Sequence, residues 1–214
     1  HQSLMLDGSQ GRPTSLPDFF ERKTLFQTAQ VTLEGGGYVR TGYDHFARTD
    51  DKVVEAMSEK KMHWNSLGVT PGEYTNIIGL GISSESTIGN HYFQNHYDMP
   101  DYINSVKTGE FPIYRGHELT QDDILRKDII QQIRNYFEVN IEDVSMQYGI
   151  SVSQYFHAEL EDIKVLEKDE VLSFKNGVIR LSDVGRQFTN IVCRVFDKHY
   201  TETLLKQDLG VREA

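Results

Sequence analysis

The chain has 214 residues, 38% of them apolar, which is enough to bury a core in one large domain or two small ones. Its 22 Lys and Arg face 32 Asp and Glu, and the net charge of -10 argues against nucleic acid as a partner, since such binding is driven by counterion release to clustered cations. No run approaches the roughly 20 apolar residues of a membrane helix, and the start lacks the basic, apolar and small-residue succession of a signal peptide. The expectation is a cytoplasmic protein with no membrane partner. The single cysteine, Cys193, lies in the apolar stretch Ile191 to Phe196 and reads as a buried, inert thiol; no disulfide or multi-cysteine metal site can form within the chain.

Residues 1–16, with Gly8, Gly11, Pro13 and Ser15 among polar neighbours, read as a loop or a cut end. Pro17 suits the first turn of a helix in which Phe20, Leu25, Phe26, Ala29 and Leu33 recur until Gly35-Gly36-Gly37 stops them. Tyr38 to Tyr43 follows as a strand. A helix ending in glycine and feeding a strand is one step of an α/β barrel or sheet, where functional groups cluster past the strand's end, and Asp44, His45 and Arg48 occupy that place. Asp50-Asp51 with Val53, Val54 and Met57 predicts a helix ending near Lys60-Lys61, and a loop from His63 to Glu73 leads into Tyr74 to Gly81. A short helix is predicted over Met99 to Val106.

From Thr120 the pattern sharpens. Thr120 and Asp123 make a capping-box-like start, and Ile124, Leu125, Ile129, Ile130, Ile133 and Phe137 form an apolar stripe. Ile141 to Tyr148 and Ser153 to Leu166 read as two shorter helices broken at Gly149. Val171 to Lys175 and Val178 to Leu181 flank Asn176-Gly177, a hairpin signal because this pair accepts the positive φ angles of a type I′ turn. Ser182 caps a last helix carrying Val184, Phe188, Ile191, Val192, Val195 and Phe196. Three helices, a two-stranded wing and a closing helix make a winged-helix-like module, with a boundary near residues 108–120. Glu142, Asp143, Glu159, Glu161 and Asp162 on its helices would repel phosphates, so a structural or docking role is expected of it.

Several residues invite chemistry. Asp44 and His45 suit an acid/base or hydrogen-bonding pair, against turn-capping and packing beside Phe46; as strand neighbours, at most one of them would face a pocket. Gly79-Leu80-Gly81-Ile82-Ser83-Ser84-Glu85-Ser86 lets backbone approach a nucleotide or carboxylate, but it lacks the third glycine of a dinucleotide fingerprint and the lysine of a P-loop, which favours a tight crossing of two backbones. His91, His96 and Asp98 do not have zinc-motif spacing and read as solvated. Arg115, His117 and Glu118 suit either an anion clamp or a polar rim between modules.

In order along the chain, Gly42-Tyr43-Asp44-His45-Phe46-Ala47-Arg48 with Asp50-Asp51, His63 with Asn65, Gly79-Leu80-Gly81-Ile82-Ser83, Gln94-Asn95, Tyr114-Arg115-Gly116-His117 with Leu119-Thr120, and Arg126 resemble the C-terminal portion of the oxygen-independent coproporphyrinogen III oxidases. The resemblance implies an α+β, mainly helical fold. The end of a partial (β/α) radical-SAM barrel would occupy residues 1–48, a connecting and cofactor-pocket region 49–119, the winged-helix-like domain 120–200, and a tail 201–214. It implies an oxidoreductase of haem biosynthesis that uses S-adenosylmethionine and a 4Fe-4S cluster to turn coproporphyrinogen III propionates into vinyls. The cluster's cysteine run is absent from this chain, so a truncated, monomeric and by itself inactive portion is expected, with the catalytic centre and metal ligands elsewhere. The family's second S-adenosylmethionine positions correspond to Leu67 and Glu85, where the oxidases carry glutamine and isoleucine. Those departures leave open a paralogue, or a haem-binding module, acting on another tetrapyrrole.

Overall fold

The computed structural model describes residues 17–74 and 76–200; the expected loop over 1–16 and tail over 201–214 lie outside the described residues. Helix α1 (Phe19–Gly35) starts at Asp18, whose carboxylate accepts from the Glu21 amide while the Glu21 carboxylate accepts from the Asp18 amide. Pro17 therefore precedes the cap rather than filling the first turn. Strand β1 (Tyr38–Arg40) pairs antiparallel with β2 (Phe46–Arg48), with Val39 opposite Ala47. The strand expected as far as Tyr43 stops early because Gly42, at φ +84°, turns the chain and the Thr41 amide donates to the His45 carbonyl. Asp44 and His45 thus lie in a hairpin loop, not past the end of a strand in an αβ step.

Helix α2 (Lys52–Ser58) is capped by Asp51, and β3 (His63–Asn65) forms a hairpin with β4 (Gly68–Thr70). Strands β5 (Asn76–Ile77), β6 (Glu85–Ile88), β7 (His91–Asn95) and β8 (Ile113–Glu118) make a four-stranded antiparallel sheet in chain order, with α3 (Met99–Thr108) inserted between β7 and β8 and closed by Gly109 in the left-handed region. Most of this sheet is missed by sequence periodicity because it lacks a clean buried/exposed alternation: every residue of β8 is exposed.

The rest of the described chain is the winged-helix module: α4 (Gln121–Tyr136), β9 (Glu138–Asn140), α5 (Ile141–Tyr148), α6 (Val152–Tyr155), α7 (His157–Lys168), β10 (Leu172–Lys175), β11 (Val178–Leu181), a 3₁₀ turn (Gly185–Phe188) and α8 (Thr189–Val195). The wing is three-stranded, in the order β10-β11-β9, since β9 adds to the predicted hairpin. Asn176 and Gly177 both take positive φ, as the turn requires. The helix expected over 153–166 is two helices, parted at the fully buried Phe156. Ser182 Oγ accepts from the Gly185 amide at the start of the 3₁₀ turn, and the last helix follows Phe188 without a side-chain cap, so Ser182 does not cap that helix.

Leu125, Ile129 and Ile133, at successive i+4 positions on α4, are buried with Val144, Val152, Phe156, Ile163, Ile179, Val192 and Phe196 in one contiguous core. The Phe156 and Phe196 rings meet edge-on at 5.7 Å between centroids. Cys193 is buried with its thiol 3.9 Å from the Ile130 carbonyl, and burial pushes that thiol up to about 12. Truncating the fully buried Ile133 to Ala is expected to cost about 2–5 kcal/mol in urea denaturation, against about 0.5 kcal/mol for Met146→Ala on the exposed face of α5. Similar costs for the two would contradict this core. Cys193 is expected to resist thiol reagents at pH 8 in the native protein and to react with one equivalent after denaturation; full reaction without unfolding would place it outside the core.

Candidate functional site

A cavity of about 790 Å³ opens between one face of the β6-β7-β8 sheet and the side of α4 opposite its core stripe. Cross-strand register builds the sheet wall. Glu85 stands opposite Gln94 and Gln94 opposite Arg115; one step along the same face, Thr87 stands opposite Tyr92 and Tyr92 opposite His117. Arg115 Nε donates to Gln94 Oε1 at 2.9 Å, and Gln94 Nε2 donates to the Ser83 carbonyl. The helix wall carries Asp123, Lys127, Gln131 and Arg134, spaced so that they share one side of α4. The β3 strand completes the rim with His63, Trp64 and Asn65; Gln131 Nε2 donates to the Trp64 carbonyl at 3.0 Å.

The lining mixes both signs of charge, with Glu73, Glu85, Asp123 and Asp197 beside Arg115, Arg126, Lys127, Arg134 and Lys198. Arg126 is bound by Asp122 and Glu159, and Lys198 by Asp122, so those two cations are already neutralised. Burial works against the Asp122 carboxylate, yet hydrogen bonds from Tyr155 and Arg126 hold it below its ordinary range. Arg115, Lys127 and Arg134 have no carboxylate partner among the described residues. Lys127 Nζ lies 5.3 Å from the Tyr92 ring centroid, and Arg134 Cζ lies 4.3 Å from that of Trp64. Arg134 Nε is buried without a hydrogen-bond partner among the described residues. Three cations on aromatic or amide supports, turned to one cavity, fit an anionic ligand with an apolar body.

The residues singled out by sequence distribute unevenly. Glu85 lines the cavity, with His63, Asn65, Gln94, Arg115 and His117. Leu67 is exposed and outside the lining; its amide donates to Asn65 Oδ1 in the β3-β4 turn. Asp44, His45 and Arg48 are also outside it. Asp44 and His45 lie side by side in the hairpin loop, with His45 Nδ1 2.7 Å from Asp44 Oδ1 but outside hydrogen-bond geometry, and neither lines the cavity. Arg48 is exposed and pairs with Asp50. The hairpin neighbours the cavity only through Arg134: the Tyr43 ring, itself outside the lining, lies 6.0 Å from Arg134 Cζ, on a loop so close that a side chain at Gly42 would press on the Arg134 carbonyl.

The glycine-rich segment is a structural crossing, as its glycines suggest. A Cβ at Gly79 would strike the Glu85 carbonyl, and the buried Asn95 donates Nδ2 to the carbonyls of Gly79 and Gly81. His91, His96 and Asp98 are not brought together: His91 stacks on Phe93, His96 meets Tyr114 edge-on, and Asp98 is the N-terminal flank of α3. Sequence reading missed Lys127, Gln131 and Arg134; their i, i+4, i+7 recurrence beside the apolar stripe was the available signal. Removing the Asn95 amide, as in Asn95→Ala, is expected to cost about 1–3 kcal/mol and to speed hydrogen exchange across residues 79–84. Unchanged exchange there would show that this side chain does not hold the cavity's outer edge.

Comparison with known proteins finds relatives of one kind. The HemN C-terminal domain model matches residues 119–188, from β8's end through the 3₁₀ turn. The chain is 31% identical over 199 residues to the oxygen-independent coproporphyrinogen III oxidase of Salmonella typhimurium, covering 93% of this chain and 44% of that protein. It is 31% identical over 184 residues to the Pseudomonas aeruginosa protein of the same name, covering 86% and 40%. The solved structure of coproporphyrinogen III oxidase (HemN) from Escherichia coli, a radical SAM enzyme, superposes with a TM-score of 0.81 at 29% identity, covering 88% of this chain and 43% of that one. The chain spans less than half the length of these relatives. Over most of its length the chain is similar to less than half of these oxidases, and residues 119–188 match the HemN C-terminal domain.

Proposed function

We propose that these residues form a wall and cover of the substrate pocket in a radical S-adenosylmethionine enzyme, an oxygen-independent coproporphyrinogen III oxidase that decarboxylates propionates to vinyls. The observation that carries this reading is the trio Arg115, Lys127 and Arg134, without carboxylate partners among the described residues, around a cavity that Trp64, Tyr92 and Phe93 also line. A porphyrinogen is a flat apolar body edged with carboxylates. Its propionates match the cations and its pyrroles match the rings, with the sheet and helix walls flanking it on two sides. In the same reading Glu85, a carboxylate on the rim, attracts a sulfonium, and Leu67, outside the lining, takes no part.

The iron-sulfur cluster of such an enzyme finds no ligands in this chain. Its single thiol is Cys193, buried in the winged-helix core and held far from ionisation. No step of the radical chemistry is assigned to these residues. They bind and orient the substrate, and turnover is expected only when cluster-bearing sequence is supplied.

Titration of the chain with coproporphyrin III, followed in the Soret band, is expected to give saturable binding that weakens by about tenfold or more in Arg134→Ala and in Arg115→Ala, as for loss of a charged hydrogen bond. Equal affinity in wild type and both variants would sink the reading. Binding of haem alone, with no response to coproporphyrin, would favour the second reading of a haem-handling paralogue.

A further inference from the structure

Outside the cation trio, three strong metal ligands converge on the same cavity wall. His117 comes from β8, Asp123 from the first turn of α4, and His199 from the segment after α8. One ligand atom from each lies within 4.8 Å of the others, and these form a metal-competent group among the described residues. His199 Nε2 is 2.9 Å from Asp123 Oδ1, and His117 Nε2 is 3.8 Å from Asp123 Oδ2. The two imidazoles meet at 5.4 Å between centroids and 88° between planes. We infer that His117, Asp123 and His199 bind a borderline divalent transition-metal ion, of which zinc is the type, with a further coordination position open to the cavity.

Four features support this beyond proximity. The donor set, two imidazoles and a carboxylate, is one that Zn²⁺ and Fe²⁺ both accept, and ligand atoms on a tetrahedral ion at ~2.0–2.2 Å stand roughly 3.4 Å apart, so only small side-chain movements are needed. Asp123 is oriented from behind: the Thr120 amide and hydroxyl both donate to Oδ2, which directs Oδ1 at His199. The nearby cations do not compete for it, because Arg126 is taken by Asp122 and Glu159, and Lys198 by Asp122. All three ligand residues line the cavity, so the remaining position faces the space a ligand would fill. Asp123 is otherwise just the acidic member of a capping box; the two histidines are what a helix cap alone does not require.

The test uses Co²⁺ as a visible probe on the 214-residue chain freed of metal by chelator. One equivalent is expected to bind with a dissociation constant in the micromolar range or below, to develop d–d absorption of low coordination number, and to be displaced by Zn²⁺. His199→Gln, at a half-exposed position that leaves the fold intact by circular dichroism, is expected to weaken binding by about tenfold or more, and His117→Gln likewise. His157→Gln on α7 is the control and should bind as wild type. Absence of saturable Co²⁺ or Zn²⁺ binding below about 1 mM, or equal affinity in wild type and His199→Gln, would overturn the site. Neither outcome depends on porphyrin binding, so this inference and the proposed function fail separately.

Discussion

The two-faced helix α4 is the constraint on which the rest of the structure depends. Leu125, Ile129 and Ile133 anchor one side in the winged-helix core, and this fixes where Asp123, Lys127, Gln131 and Arg134 project on the other. The helix cannot slide or rotate without unpacking that core, and its first turn is set by the reciprocal bonds between Thr120 and Asp123. The winged-helix module thus acts as a mount. Its role is to hold a polar stripe rigidly against the β6-β7-β8 sheet, and its acidic outer helices fit that use better than contact with a phosphate backbone.

The N-terminal hairpin completes the mount from the far side of the helix's end. Arg40 lies between the rings of Phe26 and Phe137, 5.3 and 5.1 Å from their centroids, and its guanidinium donates to the Tyr43 carbonyl, tying α1, the hairpin and the end of α4 together. Burial and the neighbouring Arg186 lower its basicity while its aromatic and carbonyl partners hold it in place. Through this junction Tyr43 comes to rest beside Arg134. The Gly42 to Arg48 run therefore carries part of the resemblance while bearing on the cavity only through Arg134.

Much of the helical half was legible in the sequence because its signals are local. Thr120 and Asp123, the i+4 apolar stripe, Asn176-Gly177 and Gly149 each act within a turn or two, and the structure follows them closely. The cavity was much less legible. Its sheet wall rests on the long-range pairing of β6, β7 and β8, in which β8 has no buried residue to create an alternation, and two of its cations, Lys127 and Arg134, come from a helix read for its cap and its apolar face. The pairing of Asp123 with His199 is likewise invisible along the chain, since 76 residues separate the partners. Ordered landmarks such as His63 with Asn65, Gln94 and Arg115 did mark cavity residues, though without showing that they share a face.

A crystal structure of the chain with coproporphyrin III bound tests the central claim most directly. The macrocycle is expected between Trp64, Tyr92 and α4, with propionate oxygens within hydrogen-bond distance of Arg115 and Arg134. A macrocycle seated elsewhere on the chain, with both guanidinium groups unengaged, would contradict it.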